Sequence, residues 1–306
     1  MHPIPLQRTL AIGSLVYAAT LWGLMWYPYR LLNEVGVGGM ASSFFTYAVP
    51  LLAFGWLHGR EFHHARGKWI WLAALGLAAG WTNLAYVLAM LQGEVVRVLL
   101  LFFLSPLWTV VLARFLLHEK LNRAGWAVMV LAAGGAMVML WQPDGGLPLP
   151  ANRAEWLALS AGMMFALSNV ISRRLGGVPE GVKSVSIWVG VVVLTVAGLW
   201  FYPVELDFIE SAEWSAWLLL LGIGLFIGSM TYAVQYGLAR VPANQAIVIF
   251  LFELVVASVA AYFLSEERMG LQEWTGAIMI VTASLFSGHM EQVAVKNNLT
   301  NPDVSA

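Results

Sequence analysis

No cysteine occurs among the 306 residues, and charged side chains make up only 11% of them. The first absence excludes disulfides and thiolate chemistry and leaves the redox compartment open. The second excludes an ordinary soluble domain, in which about a quarter of residues are charged. Also missing are an HExxH pair, a phosphate-binding loop and a Gly-x-Ser-x-Gly turn, so an ATP-driven pump or a membrane hydrolase lacks its required parts. A net charge of -1 with no basic or acidic tail gives nucleic acid nothing to bind. The sequence carries no cofactor motif and no signal for an oligomeric state. His58, His63 and His64 lie beside Arg60, Glu61 and Arg66, and read better as a solvated basic loop than as a metal site.

What is present is apolar: 60% of residues are hydrophobic and the mean hydropathy is +0.75. Apolar runs separated by charged or Gly/Pro clusters predict helices near 10–32, 39–57, 69–91, 95–117, 122–141, 154–175, 184–204, 213–237, 243–264 and 271–290. Each approaches the ~20 residues that cross a ~30 Å hydrocarbon core at ~1.5 Å per residue. The first run is too long and too rich in Trp for a cleaved leader and reads as a retained helix. The expected fold class is an all-α polytopic membrane protein with ten transmembrane helices, short connections and a polar tail over 291–306.

Lys and Arg set the expected orientation. Placing the N-terminus in the cytoplasm puts twelve of the sixteen basic residues on that side, Lys183 among them, and leaves Arg30, Arg97, Arg153 and Arg268 outside. An even number of spans then returns the C-terminus to the cytoplasm and places the loop 205–212 outside. Trp56, Trp69, Trp126, Trp141, Trp156, Trp200, Trp214 and Trp274 fall near predicted span ends, as an interfacial aromatic belt would.

A shift of about 148 residues superposes the two halves: Gly76 and Gly80 fall on Gly224 and Gly228, Phe102 on Phe250, Phe115-Leu116 on Phe263-Leu264, Glu119-Lys120 on Glu267-Arg268, and Trp126 on Trp274. With five spans per half, an odd number, the second half enters the membrane in the opposite sense. That is the inverted-repeat plan of secondary transporters, whose substrate site lies near the midplane between the halves. The glycine pairs are read as places of close helix approach.

LWGLMWYPYR at 21–30, NLAYVLAM at 83–90, FLSPLWTVVLARFLLHEK at 103–120 and YGLARVPANQAIVIFLFELVVASVAAYFLSEER at 236–268 resemble the EamA-type transporters of the drug/metabolite transporter superfamily. The resemblance implies two inverted five-helix EamA-like repeats, at 1–141 and 154–290 with a linker over 142–153, in a bacterial cytoplasmic (inner) membrane. It implies transport of small metabolites, amino-acid export being prominent in the family. Family members often place Pro after the ninth-helix Glu; here Leu254 follows Glu253, and the proline stands in the first repeat as Pro106.

Glu253, near the middle of the ninth span, dominates the candidate residues. A carboxyl there costs at least ~2.5 kcal/mol on insertion scales, so it faces a cavity, a partner or a proton rather than lipid. It suits binding a substrate amine, carrying a coupling proton, or pairing with an Arg. Its repeat partner is Ser105, so the charge breaks the pseudo-symmetry. Asn83, Tyr86, Asn169, Tyr232, Gln235 and Gln245 are the other polar candidates for substrate or coupling, and interhelical hydrogen bonding is their structural alternative. Trp22, Trp26, Trp81 and Trp108 offer walls for a flat substrate or simple packing. Arg97, with Glu94 three residues earlier, is either an interfacial pair or a recognition site for a substrate carboxylate. The expectation is a secondary transporter exporting small metabolites, with the bilayer and the solute as partners and protons as a candidate coupling ion. The alternative is an intramembrane enzyme or a lipid- or partner-binding accessory protein.

Overall fold

The computed structural model describes residues 5–93, 95–141, 150–201, 203–210, 212–264 and 270–286. Glu94, most of the 142–153 linker, the Glu267-Arg268 pair and the 291–306 tail lie outside them. The described chain is helical, and each predicted apolar run contains helix. Seven stretches are long and apolar enough to cross a membrane: Leu6–Glu34, Gly39–Ala65, Trp69–Met90, Arg153–Arg174, Glu180–Phe201, Trp214–Leu238 and Ala243–Leu264. Ser105–Leu116, Arg123–Met139 and Trp274–Phe286 are apolar but shorter. This is an integral membrane protein. All eight predicted belt tryptophans are exposed, as side chains of an interfacial belt must be.

Three of the predicted spans are broken. The first divides into α1 (Pro5–Leu24) and α2 (Trp26–Glu34). Pro28 supplies no N–H to the Leu24 carbonyl and its ring crowds that oxygen, so the helix restarts one turn earlier. The fourth divides into α5 (Val95–Phe102) and α6 (Ser105–Leu116), with Pro106 in the first turn of α6. The ninth divides into α11 (Ala243–Phe250) and α12 (Phe252–Leu264) although no proline is near. Both later breaks tighten into the same turn: Leu107 N–H donates to the Leu104 carbonyl at 3.0 Å, and Leu254 N–H to the Leu251 carbonyl at 3.1 Å.

The remaining long elements are α3 (Gly39–Phe54), α4 (Trp69–Gln92), α7 (Arg123–Leu140), α8 (Arg153–Arg174), α9 (Glu180–Phe201), α10 (Trp214–Leu238) and α13 (Leu271–Phe286). Two segments read as loops are instead 3-10 turns, Gly55–Ala65 and Pro203–Glu210. The second is held down by Phe208, buried, and by Glu205, whose Oε2 accepts from Met40 N at 2.8 Å and Ala41 N at 3.1 Å. A carboxylate there satisfies free N–H groups and opposes the dipole of α3.

Packing follows a regular scheme. α4 lies against α8 and α9, and α10 lies against α1 and α3; α6 lies on α8, and α12 on α1; α7 pairs with α13, and α3 with α9. One apolar core joins α1, α7, α11, α12 and α13 around Leu15, Ile247 and Ile280, and a second joins α2, α3, α9 and α10 around Leu32, Trp188 and Ile227. The paired glycines sit in these contacts. A Cβ on Gly76 would stand 2.5 Å from the Ser186 carbonyl oxygen, and one on Gly80 would collide with the Gly190 carbonyl. In the other half a Cβ on Gly224 would stand 2.5 Å from Val49 Cβ, and one on Gly228 2.9 Å from Pro50 Cβ. Without a hydrophobic drive between helices in lipid, such close approach is what dispersion and weak polar contacts require.

Candidate functional site

Glu253 is the second residue of α12, immediately beyond the break in the ninth span. α1 crosses it here: a Cβ on Gly23 would stand 2.6 Å from the Glu253 carbonyl oxygen and 2.8 Å from Val256 Cβ. The glycine brings the backbones together, and Trp22 and Trp26 flank that crossing along the chain. Glu253 is partly buried, and among the described residues its carboxylate has neither a hydrogen bond nor an ion pair. The Tyr86 hydroxyl of α4 lies within electrostatic range of it.

A row of rings leads from Tyr86 across the molecule. Tyr86 and Phe102 have centroids 5.0 Å apart, Phe102 and Phe165 5.5 Å, and Phe165 and Phe250 5.7 Å. The row thus joins α4, the end of α5, α8 and the end of α11, and touches both broken spans at their breaks. Asn83 precedes Tyr86 by about one turn on the same face of α4, and its Oδ1 is buried without a hydrogen-bond partner. The indole Nε1 of Trp26 is in the same condition. In an interior where a polar group left unpaired is costly, partnerless atoms mark either a place for a ligand or water, or a state in which their partner has moved.

A second polar layer lies farther along α8 and α11. Asn169, one turn beyond Phe165, is buried with Nδ2 unpartnered, and Gln245 is buried with neither amide atom partnered. Gln235 does have a partner, accepting a hydrogen bond from Ser172. Trp22 packs into the core around Leu32, and Trp108 is half-buried on α6. Trp81 and Tyr232 are not brought to Glu253. Trp81 is exposed and donates to Ser160 Oγ at 3.1 Å across the α4–α8 contact. Tyr232 is exposed and stacks on His58 at 6.3 Å between ring centroids. The side chain of Arg97 lies outside what the structure describes. An apolar crevice beside the break in the fourth span, lined by Phe103, Pro106, Leu107 and Met137 among others, contains none of the polar candidates.

Beyond that layer the connections at one end of the bundle are tied by charge. Arg240 Nη1 meets Glu180 Oε1 at 2.6 Å, and Arg173 Nε meets Glu119 Oε1 at 3.7 Å. Glu119 also accepts from Ala243 N and Asn244 Nδ2, both at 3.4 Å, at the start of α11. Arg174 lies 4.6 Å over the Trp71 ring, a cation–π contact. Most of these residues come from the side read as cytoplasmic. One residue there was not expected as a site residue: Lys183, counted with the loop charges, belongs to the first turn of α9 and is fully buried. The predicted span began one residue too late to contain it. The signal was Pro179-Glu180, a helix start, followed by Lys183 between the apolar Val182 and Val185.

The sequence model of the EamA-like transporter family matches this chain twice, over residues 9–141 and 152–288. A protein of Rickettsia prowazekii named as an S-adenosylmethionine uptake transporter is 25% identical over 255 residues, 83% of either chain. The protein RarD of Escherichia coli is 24% identical over 191 residues, 60% of either chain. An uncharacterized transporter of Pseudomonas aeruginosa is 29% identical over 177 residues, so that the match spans about half of each chain, 55%. One solved crystal structure superposes with a TM-score of 0.70 over 90% of this chain and 96% of its own, at 20% identity, a likeness of fold. Two family matches covering nearly the whole of an apolar helical chain leave one assignment: it belongs to the EamA-like transporter family.

Proposed function

We propose that this membrane transporter is a secondary transporter exporting small metabolites such as amino acids, by alternating access of two inverted five-span halves. The observation that carries the reading is the partnerless carboxylate of Glu253 at the break of the ninth span, set beside Tyr86 and the ring row. A carboxylate with no protein partner in a low dielectric is a receptor for a substrate ammonium or a proton. The ring row supplies an apolar wall for the rest of the solute. Asn83, Trp26 and Gln245 add unpaired hydrogen-bonding atoms on neighbouring helices.

The ten-span, two-half arrangement is supported by packing that repeats at an offset of five spans: α4 on α8 and α9 corresponds to α10 on α1 and α3, and α6 on α8 to α12 on α1. In this reading the two repeats span 1–141 and 154–290. The charge bias supports a cytoplasmic location for both termini, in a bacterial inner membrane. Reporter fusions at the two termini test this, and termini on opposite sides of the membrane would remove the inverted repeat. Uptake is the second reading of direction, favoured by the Rickettsia relatives named for uptake of S-adenosylmethionine, itself an ammonium carboxylate with a flat base. An intramembrane enzyme is less well supported, because the family and its named relatives are transporters.

The deciding measurement is flux of a labelled panel of amino acids and related amines in proteoliposomes, with and without an imposed pH gradient. The expected result is flux of an amine-bearing solute that responds to the gradient in the wild type and not in Glu253→Gln. Flux of no member of the panel in either direction would sink the proposal.

A further inference from the structure

We propose that Lys183 is the centre of an anion-binding site, distinct from Glu253, that takes the carboxylate or phosphate group of a small solute. That the anion is part of the carried solute rests on the transporter reading above; the site itself does not.

Lys183 is fully buried, and its Nζ has no hydrogen-bond partner among the described residues. An ammonium held away from water without a partner is among the costliest arrangements a protein can keep. The described carboxylates of this end of the bundle are already engaged. Glu180, one turn away on α9, gives Oε1 to Arg240 at 2.6 Å. Glu119 is shared by Arg173, Ala243 N and Asn244. Glu61 lies 3.2 Å from His58, the ring that sits against Gly181. Lys183 lies within electrostatic range of Glu180, Arg240 and Arg173, and the two arginines take up Glu180 and Glu119. The ammonium is thus left without an ion-pair partner among the described residues, closed off from solvent, where attraction to an anion is screened least.

On other helices, Asn169 Nδ2, one turn from Arg173 on α8, and Gln245 Nε2, next to Asn244 on α11, are also buried and unpartnered among the described residues. The donors in range of Lys183 are the guanidinium groups of Arg240 and Arg173, and charge-assisted N–H groups of that kind are what a carboxylate or phosphate needs to replace its water. Access is also built in. The side chains of Glu180 and Arg240, both within electrostatic range of Lys183, are 21% and 29% exposed, so this pair reaches water. A solute anion that displaces Glu180 from Arg240 would meet the ammonium one turn along α9.

The test uses the full-length protein in detergent, with thermal unfolding followed while sodium acetate or sodium phosphate replaces sodium chloride at constant ionic strength. The wild type should gain at least about 2 °C in a saturable way with one of the two anions. Lys183→Met should begin at a higher Tm, having lost a buried unpaired charge, and should show no anion-dependent gain. Glu180→Gln removes the competing carboxylate and keeps the site testable if the Lys183 variant fails to fold; its half-saturating anion concentration should fall at least about threefold. A flat wild-type response to both anions, an equal gain in Lys183→Met, or an unchanged midpoint in Glu180→Gln would each overturn the site. An anion shift without flux of any solute leaves the site standing and removes the transporter reading; flux without an anion shift does the reverse.

Discussion

The fourth and ninth spans are the same device with one difference. Each breaks near its middle, at Leu104 and at Leu251, and each break carries the same tightened carbonyl-to-amide turn. Each also sends a phenylalanine, Phe102 or Phe250, into one ring row against Phe165. The fourth span has Pro106 to explain its break, whereas the ninth has none. The ninth is instead crossed at the break by α1 through Gly23. Beyond the break the fourth span continues with Ser105, buried, and the ninth with Glu253, partnerless. The common part is therefore backbone and packing, and the charge is an addition made in one half only. In the alternating-access cycle proposed above, such a frame would allow two access states, and the Glu253 carboxylate would give them something to act on.

The sharpest way to break this comparison is to equalise the two spans. Glu253→Gln keeps shape and hydrogen-bonding capacity and removes the charge. Expression should be normal while flux falls roughly 100-fold, the scale of a lost charged hydrogen bond, and the residual flux should not respond to a pH gradient. Normal flux across pH would show that the carboxylate is neither a coupling site nor an essential ligand.

The next largest effect separates the glycine pairs. Gly80→Leu forces a side chain onto the backbone of α9, which cannot yield, whereas Gly228→Leu meets the Pro50 side chain. Both should lose folded yield, by an overpacking cost of about 1–3 kcal/mol, with Gly80→Leu the worse by thermal unfolding in detergent. Equal behaviour would mean that the two halves pack alike at these points despite their different neighbours.

A smaller effect is expected where the two spans are tied together. Glu119 follows the fourth span and holds the first turn of the ninth through Ala243 N and Asn244. Glu119→Gln should cost about 0.5–1 kcal/mol in this partly exposed setting, less at high salt, read as a lower unfolding temperature that converges on the wild type as salt is added. Smallest of all, Ser105→Ala at the position matching Glu253 should change flux by less than about twofold, since its loss leaves no charge unpaired. A severe Ser105→Ala phenotype would mean that the first half carries function of its own.

Much of the architecture could be read in one dimension because a bilayer imposes one. Apolar lengths near 20 residues, tryptophans at their ends and glycines a turn apart are each consequences of the solvent and not of distant contacts. The helices, the exposed tryptophans and the close approaches at Gly76, Gly80, Gly224 and Gly228 were accordingly visible in the chain, as was a carboxyl at mid-span. What a polar side chain meets was not. Trp81 bonds Ser160 at an exposed face, Tyr232 stands over His58, Glu205 closes the start of α3 across 165 residues of chain, and Lys183 is buried within electrostatic range of Arg240 and Glu180. Each of these depends on residues far along the sequence that only the packed bundle brings together. The lipid dictates where helices run, but the pairing of the few charges inside is decided by which helix lies next to which.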